Sequence, residues 1–273
     1  MDAATRADYE RDGFAVVRNL VPPEELPKLR QVYDGLFENK AGWEKGDFFD
    51  MLDTGEKGGQ MTLPQLAWPS RHAPWLAETQ MRRRAWAIAE EVLGPRSELV
   101  WEFAIRKPPK VGAPTPWHQD EASFTVGTPY RVALSCWVAL QDTDEVTGCM
   151  LYVPGSHRGP LLPHQTVGAD PRAHALGAID PDVSKAVAVP LRAGDAVLHH
   201  SRTLHGAGAN RSEEPRRAIT LEFAVPDKAA LIRRDFEWNQ GKFTYRDERE
   251  LSTMPLKQRL KRRVKQTLIR LGW

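Results

Sequence analysis

Residues 187–225, VAVPLRAGDAVLHHSRTLHGAGANRSEEPRRAITLEFAV, decide the fold. The apolar runs at 187–191, 196–199 and 217–225 read as short strands, and the segments between them carry Gly194, Gly206, Gly208 and Pro215. Working outward, 99–107, 130–140 and 150–153 read the same way. Short strands separated by Pro and Gly turns argue for a sandwich or barrel rather than a parallel sheet with crossover helices. The expected architecture is mainly β with flanking helices, arranged as a jelly roll.

Ahead of these strands the pattern differs. Residues 13–18 read as one short strand, and VPPEE at 21–25 then opens a helix with proline and acids at its positive end. Leu26, Leu29, Val32 and Phe37 give that helix an apolar stripe, while Pro27 predicts an irregular first turn. A second helix is expected over 74–93, with Leu76, Met81, Trp86, Ala89 and Leu93 inward and Gly94 as its stop. Residues 39–65 are rich in Gly, Asp and Lys without periodicity and read as a mobile loop or lid. Residues 159–186, with Pro160, Pro163, Pro171 and Pro181, read as a long excursion between strands.

With 273 residues and no internal repeat, the chain is expected to form a single domain, 1–273. Its formal net charge is +2 with no basic stripe across the body, which argues against a nucleic-acid partner and for a small-molecule one. Cys136 and Cys149 are too few for a disulfide framework, which fits a reducing, cytoplasmic setting. Residues 1–13 are polar, with Asp2, Asp8, Glu10 and Asp12, and read as neither a secretory signal nor a membrane span.

The residues that carry chemistry are His118, Gln119 and Asp120, followed far downstream by His205 and Arg216. His-x-Asp alone is a weak signal. In this order, however, two imidazoles and a carboxylate can hold one face of an octahedral Fe(II) and leave three positions for a cosubstrate and O2. His118 and Asp120 are two apart, so in an extended segment they share a face while Gln119 points away. His205 must then come from a distant strand that folds alongside. Arg216 lies eleven residues after His205, beyond a turn-prone NRSEEP loop, and its planar guanidinium suits bidentate capture of the distal carboxylate of a keto diacid. Alternation puts Arg216, Ala218 and Thr220 on one strand face and Arg217, Ile219, Leu221 and Phe223 on the other. The small-residue face has room for a cosubstrate, which favours Arg216 over Arg217. His199 and His200 are consecutive and cannot both face one metal, so one reads as a neighbour of a ligand and the other as structural. Two other readings stay open: a non-catalytic cupin-like metal-binding or sensing module, and a zinc hydrolase.

Around this set the chain resembles the phytanoyl-CoA dioxygenase family of Fe(II)/2-oxoglutarate-dependent oxygenases. The resemblance rests on YERDGFAVV at 9–17, on Lys107-Pro108-Pro109 ahead of the metal motif, and on Trp137 at about the family distance after Asp120. It extends through Thr147-Gly148-Cys149-Met150, Pro154-Gly155-Ser156-His157 and Ala193-Gly194-Asp195 to His205 and Arg216, covering residues 8–226. It implies a double-stranded β-helix, a jelly roll with cupin kinship. It also implies that His118, Asp120 and His205 bind iron and that Arg216 binds the distal carboxylate of 2-oxoglutarate. Gln119, Lys107 and Trp137 would belong to the cosubstrate shell. Ala207 stands where the family often has serine, so one hydrogen bond is expected to be missing. Family members that halogenate replace the ligand carboxylate with a small residue, so Asp120 implies hydroxylation. Decarboxylation of 2-oxoglutarate to succinate and CO2 would be coupled to oxidation of a C–H bond in a small organic metabolite. An acyl-CoA is the family's alternative substrate, whereas richness in Ala, Arg and Pro is that of a GC-rich bacterial genome, where such enzymes tailor natural products.

Two signals stand outside that set. Trp101 and Trp117 flank the metal region. Residues 256–273 contain Lys257, Arg259, Lys261, Arg262, Arg263, Lys265 and Arg270 and no acid, with Leu256, Leu260, Val264, Leu268 and Leu271 at helical spacing. The segment reads either as a helix whose stripe packs on the barrel or as a basic amphipathic helix on anionic lipid or a partner.

Overall fold

The computed structural model describes residues 1–52, 60–125, 128–168, 170–227 and 236–271. Its strands, in chain order, are β1 (Phe14–Val17), β2 (Phe48–Asp50), β3 (Pro64–Ala67), β4 (Glu98–Lys107), β5 (Thr115–His118), β6 (Ala133–Ala139), β7 (Met150–Tyr152), β8 (His164–Thr166), β9 (Leu176–Ala178), β10 (Val187–Val189), β11 (Ala196–His200), β12 (His205–Ala207) and β13 (Arg216–Ala224). The helices are α1 (Ala3–Asp12), α2 (Leu26–Glu38), α3 (Pro69–His72), α4 (Gln80–Leu93), α5 (Tyr245–Thr253) and α6 (Leu256–Leu271). A large antiparallel sheet runs in the order β1-β11-β6-β13-β4-β3-β2, a second in the order β10-β7-β12-β5, and β8-β9 form a hairpin within the 159–186 excursion.

The large sheet is covered on both faces. Leu134, Cys136 and Val138 of β6, with Ile219, Leu221 and Phe223 of β13, pack against Leu29, Tyr33 and Phe37 of α2 and Met81, Ala85 and Ala89 of α4. On the opposite face Trp137, Ala139, Val197 and Ala218 meet Met150, Tyr152, Val189 and Ala207 of the second sheet. The two facing sheets, with helices outside the larger one, make a double-stranded β-helix. Alternate residues of one strand therefore serve two different cores.

Helix ends depart from expectation for local reasons. Pro22–Glu25 form a turn, Glu25 N–H donating to Pro22 O at 3.0 Å, and α2 starts at Leu26. Pro27 thus falls in the first helical turn, where no intrahelical acceptor awaits its missing N–H. The helix expected over 74–93 is broken at Thr79, whose extended backbone (ψ 149°) separates a 3-10 turn, Pro74–Glu78, from α4. Thr79 Oγ1 accepts from Arg82 N–H, and the Glu25 carboxylate accepts from Gln80 and Met81 N–H at 2.8 and 3.0 Å. The start of α4 is thereby capped twice, once from beside α2. Gly13 closes α1 with φ 83°, and a Cβ there would lie 2.4 Å from the His157 ring, so the turn into β1 requires glycine.

The stretch 39–65 is not the irregular loop its composition implied. It supplies a 3-10 turn at Trp43–Lys45 and then β2 and β3, which extend the large sheet beyond β4. These strands are short and buried on both faces, so no alternation of apolar and polar residues marks them. The lid expected there falls partly on 53–59, which lie outside the described residues. At the other end, α6 leaves Leu256, Leu260 and Val264 exposed at 71%, 54% and 57%, so their stripe is not packed on the barrel. No helix of the described residues is long and apolar enough to cross a membrane.

Arg82 of α4 reaches the buried Glu102 of β4, which also accepts from Ser70 N–H at 2.9 Å. Arg82→Met is expected to cost about 3 kcal/mol, because Glu102 keeps a buried charge without its cation. Urea denaturation reads this directly, and the pair Arg82→Met/Glu102→Leu should recover most of the loss.

Candidate functional site

The register of β12 on β5 sets His205 directly across from His118. Cross-strand partners lie about 5 Å apart, so pairing alone brings the imidazoles together; their ring centroids are 4.2 Å apart. Gly206 follows, and a Cβ there would come within 3.3 Å of the Trp117 ring, which places Trp117 in the packing behind the site. β5 ends at His118, and the chain passes through extended Gln119 into a 3-10 turn, Asp120–Ser123. Asp120 Oδ1 is 3.4 Å from His118 Nε2 and 3.5 Å from His205 Nε2. The ligand atoms of the three residues lie within 4.8 Å of one another, a cluster able to hold one metal ion.

Each imidazole is oriented from behind. A carbonyl only accepts, so His118 Nδ1 carries the proton it donates to Pro116 O at 2.8 Å, and His205 Nδ1 the one it donates to Thr203 O at 2.9 Å. In the neutral rings both Nε2 lone pairs then face Asp120. Asp120 Oδ2 is held by Ser135 Oγ at 2.9 Å and His199 Nε2 at 3.1 Å, and His199 Nδ1 meets the Tyr152 hydroxyl at 3.1 Å. His200 instead lies beside His157 and accepts from Arg202 N–H; burial and then His157 push it down to about 4. Of the pair, His199 serves Asp120 and His200 is structural. Burial alone would raise Asp120. The imidazoles of His205, His118 and His199 around it outweigh that and hold the carboxyl well below the ordinary carboxylate range. Burial, followed by the charge of His118, holds His205 well below the ordinary imidazole range.

Arg216 starts β13 on its inner face, whereas Arg217 points outward to Asp34 at 2.7 Å. Arg216 is 1% exposed, its Cζ stands 5.0 Å over the Trp137 ring, and its Nε and Nη1 have no hydrogen-bond partner among the described residues. Burial lowers it only to about 10, so it stays charged. A buried guanidinium in that state calls for an anion. Lys107 and Gln119 reach backbone, and Gln119 also lines the cavity shared by the three ligand side chains. Lys107 Nζ donates to Ala113 O at 2.8 Å and Gly208 O at 2.6 Å, with Ala207 O at 3.4 Å, and so braces the chain just after His205. The Gln119 amide donates to Arg202 O and Pro160 O and accepts from Leu162 N–H, which ties the 159–186 segment to the metal turn. The polar atoms of these two side chains, expected near the cosubstrate, engage backbone groups.

One cavity of about 1080 Å³ joins the cluster to Arg216 and Trp137, and continues past Trp101 and Phe103 to Thr220 and Glu222. Sequence reasoning missed Ser135, Tyr152 and Glu222. Ser135 and Tyr152 carry no motif, but Glu222 lies on the alternation that singled out Arg216, two residues beyond Thr220.

The family model for phytanoyl-CoA dioxygenase matches residues 9–218. A probable alpha-ketoglutarate-dependent hypophosphite dioxygenase of Stutzerimonas stutzeri is 36% identical over 240 residues, spanning 85% of this chain and 82% of that one. The crystal structure of EvdO2 from Micromonospora carbonacea var. aurantiaca complexed with 2-oxoglutarate superposes with a TM-score of 0.73 at 35% identity, over 87% of this chain and 96% of that one. The epimerase SnoN, solved with Fe3+, alpha ketoglutarate and nogalamycin RO, superposes with a TM-score of 0.59 at 28% identity, over 81% and 82% of the two chains.

Loosening the support of Asp120 should weaken the cluster's hold on a divalent ion. Ser135→Ala is expected to lower metal affinity about tenfold, the size of effect seen when a partner behind a ligand is lost. Titration of the apo protein with Fe(II) or Mn(II) measures this, with Ser184→Ala, whose hydroxyl bonds the exposed Asp182, as the control.

Proposed function

Since the chain belongs to the phytanoyl-CoA dioxygenase family of Fe(II)/2-oxoglutarate-dependent dioxygenases, we propose that it hydroxylates, or otherwise oxidises, a C–H bond of a small organic metabolite. In this reading His118, Asp120 and His205 are the iron ligands and Arg216 anchors the distal carboxylate of 2-oxoglutarate. The observation that carries it is the buried, unpartnered guanidinium of Arg216 in the cavity that also holds the three ligand side chains. Two neutral imidazole nitrogens and one carboxylate on one side suit ferrous iron and leave its other positions open. With 2-oxoglutarate bound, iron supplies O2 activation coupled to decarboxylation to succinate and CO2.

This chain's own residues orient, exclude water and hold charge. Trp137 covers one face of Arg216 and keeps water from the ion pair it would form. Ser135 and His199 keep Asp120 ionised and turned toward the two imidazoles. Asp120 so fixed supports hydroxylation over halogenation, since a carboxylate stands where a halide would need space. Lys107 and Gln119 act through the backbone, one behind the strand of His205 and the other across the substrate-side loop. The likeness to SnoN, whose structure holds nogalamycin RO, supports a natural-product metabolite over an acyl-CoA.

We also infer that α6 rests on an anionic lipid surface. Its exposed Leu256, Leu260 and Val264 and a sequence rich in Lys and Arg without acids support an interfacial helix.

Anaerobic addition of Fe(II) and 2-oxoglutarate should give a visible charge-transfer band that His118→Ala abolishes. Arg216→Ala should weaken 2-oxoglutarate binding by about 3 kcal/mol, roughly a hundredfold. No band and no metal-dependent O2 uptake or succinate formation would overturn the oxygenase reading in favour of a sensing module or a zinc hydrolase. For α6, cosedimentation with phosphatidylserine vesicles should exceed that with phosphatidylcholine and fall in Leu260→Glu/Val264→Glu; equal binding to both vesicles would remove the lipid assignment.

A further inference from the structure

The inner face of the large sheet has two polar ends. Arg216 stands at one, and Glu222 six residues along β13 at the other, about 20 Å away in an extended strand. A five-carbon diacid anchored at Arg216 is too short to reach Glu222. Whatever Glu222 serves is therefore something other than 2-oxoglutarate.

Glu222 is 8% exposed, lines the cavity, and its Oε1 has no hydrogen-bond partner among the described residues; the same holds for the Oγ1 of Thr220 one step nearer Arg216. Such atoms are costly to bury alone, so two on one cavity wall point to a ligand that completes them. Register places Glu222 between Ser135 of β6 and Trp101 of β4, and Thr220 between Trp137 and Phe103. Ser135 holds Asp120, so Glu222 is one cross-strand step from the hydrogen bond that fixes the metal-facing carboxylate. Trp101 and Phe103 stack at 5.7 Å with 10° between their planes, and Trp68 joins Trp101 at 5.3 Å. This gives an apolar platform directly beside the two polar atoms.

We propose that Glu222 and Thr220 form the substrate-recognition end of the cavity, and that its occupant is an alcohol held by its hydroxyl on these two residues with its carbon skeleton against Trp101 and Phe103. The proposal rests on the preceding reading only in taking the His118, Asp120 and His205 end as the reacting one. Burial pushes the Glu222 carboxyl up to about 8, and beside the unpartnered Thr220 hydroxyl it gives this wall of the cavity both a donor and an acceptor. A hydroxyl offers the same pair of roles in return, whereas an ammonium would require the ionised form. A site that pairs with a substrate hydroxyl also rejects an analogue without one, because its own buried groups are then left unmet.

The probes are cyclohexanol and methylcyclohexane, alike in size and differing in the hydroxyl. In the anaerobic holoenzyme with Fe(II) and 2-oxoglutarate, proton line broadening by the paramagnetic iron reports each probe near the metal. Cyclohexanol should be preferred by the native protein, and Glu222→Leu should reduce that preference about tenfold, the equivalent of one lost buried hydrogen bond. Glu222→Gln, whose amide still donates and accepts, should retain most of it, and the charge-transfer band verifies that each variant is folded and loaded. Equal broadening of the two probes by the native protein, or an unchanged preference in Glu222→Leu, overturns the assignment. Saturation transfer from the metal-free protein to the same probes repeats the comparison. An absent band would thus count against the iron and 2-oxoglutarate assignment alone, while the preference for cyclohexanol still decides this one.

Discussion

Two-sided burial of β13 is the constraint on which the rest of the structure depends. Its odd-numbered Ile219, Leu221 and Phe223 belong to the core shared with α2 and α4, and its even-numbered Arg216, Thr220 and Glu222 line the cavity. Because the side-chain period of a strand is two, a slip of one residue would drive Arg216 and Glu222 into the helix-packed core and turn three large apolar side chains inward. Either half of that exchange is prohibitive on its own. Pairing with β4 on one side and β6 on the other carries the same register to Trp101, Phe103, Ser135 and Trp137. The energetics that hold the sheet together and those that aim the polar residues are therefore one set of interactions.

The second sheet needs more help, since β12 is only three residues long and β5 four. Strands so short are weakly self-supporting. The buried Asn210 compensates by donating to Lys107 O, Pro108 O and Glu214 O, joining the loop between His205 and Arg216 to the end of β4. Lys107 reaches the opposite way to the carbonyls after His205. The chain turns sharply at Gly148, with φ 80°, where a Cβ would stand 2.4 Å from Gly208 O. The eleven-residue step from His205 to Arg216 is thus fixed by hydrogen bonds from two side chains to backbone carbonyls and one close approach, and the spacing that is visible in the sequence has a mechanical cause.

That explains which features were legible. Strands β4, β6, β11 and β13 carry long apolar runs, and the side-chain alternation that separates Arg216 from Arg217 is a property of any strand, so both could be read from residue order. The shared face of His118 and Asp120 followed from the same rule. What escaped depended on tertiary neighbours. β2 and β3 are short and buried on both faces, which erases alternation, and the break at Thr79 depends on a cap that Glu25 supplies from a distant segment. Ser135 and Tyr152 acquire meaning only through His199 and Asp120. Lys107 and Gln119, placed in the cosubstrate shell by resemblance, also tie down backbone around the site, which only the tertiary structure reveals.

The two carboxylates of the inner wall show how one buried environment produces opposite charge states. Glu222 is buried and Asp120 largely so, and that alone would raise both. Asp120 accepts from the Ser135 hydroxyl and His199 and has the imidazoles of His118 and His205 beside it, which together favour its ionised form. Glu222 has Ser135 and Trp101 as cross-strand neighbours and no cation among the groups that shift it, while the charge of Asp120 itself opposes a second negative charge. Ionising the first therefore helps keep the second neutral. Pairs of titratable groups driven apart in this way mark the division of labour in an active site. Here the division follows from where each carboxylate stands, Asp120 in the turn after β5 among the imidazoles and Glu222 within β13 beside Ser135 and Trp101.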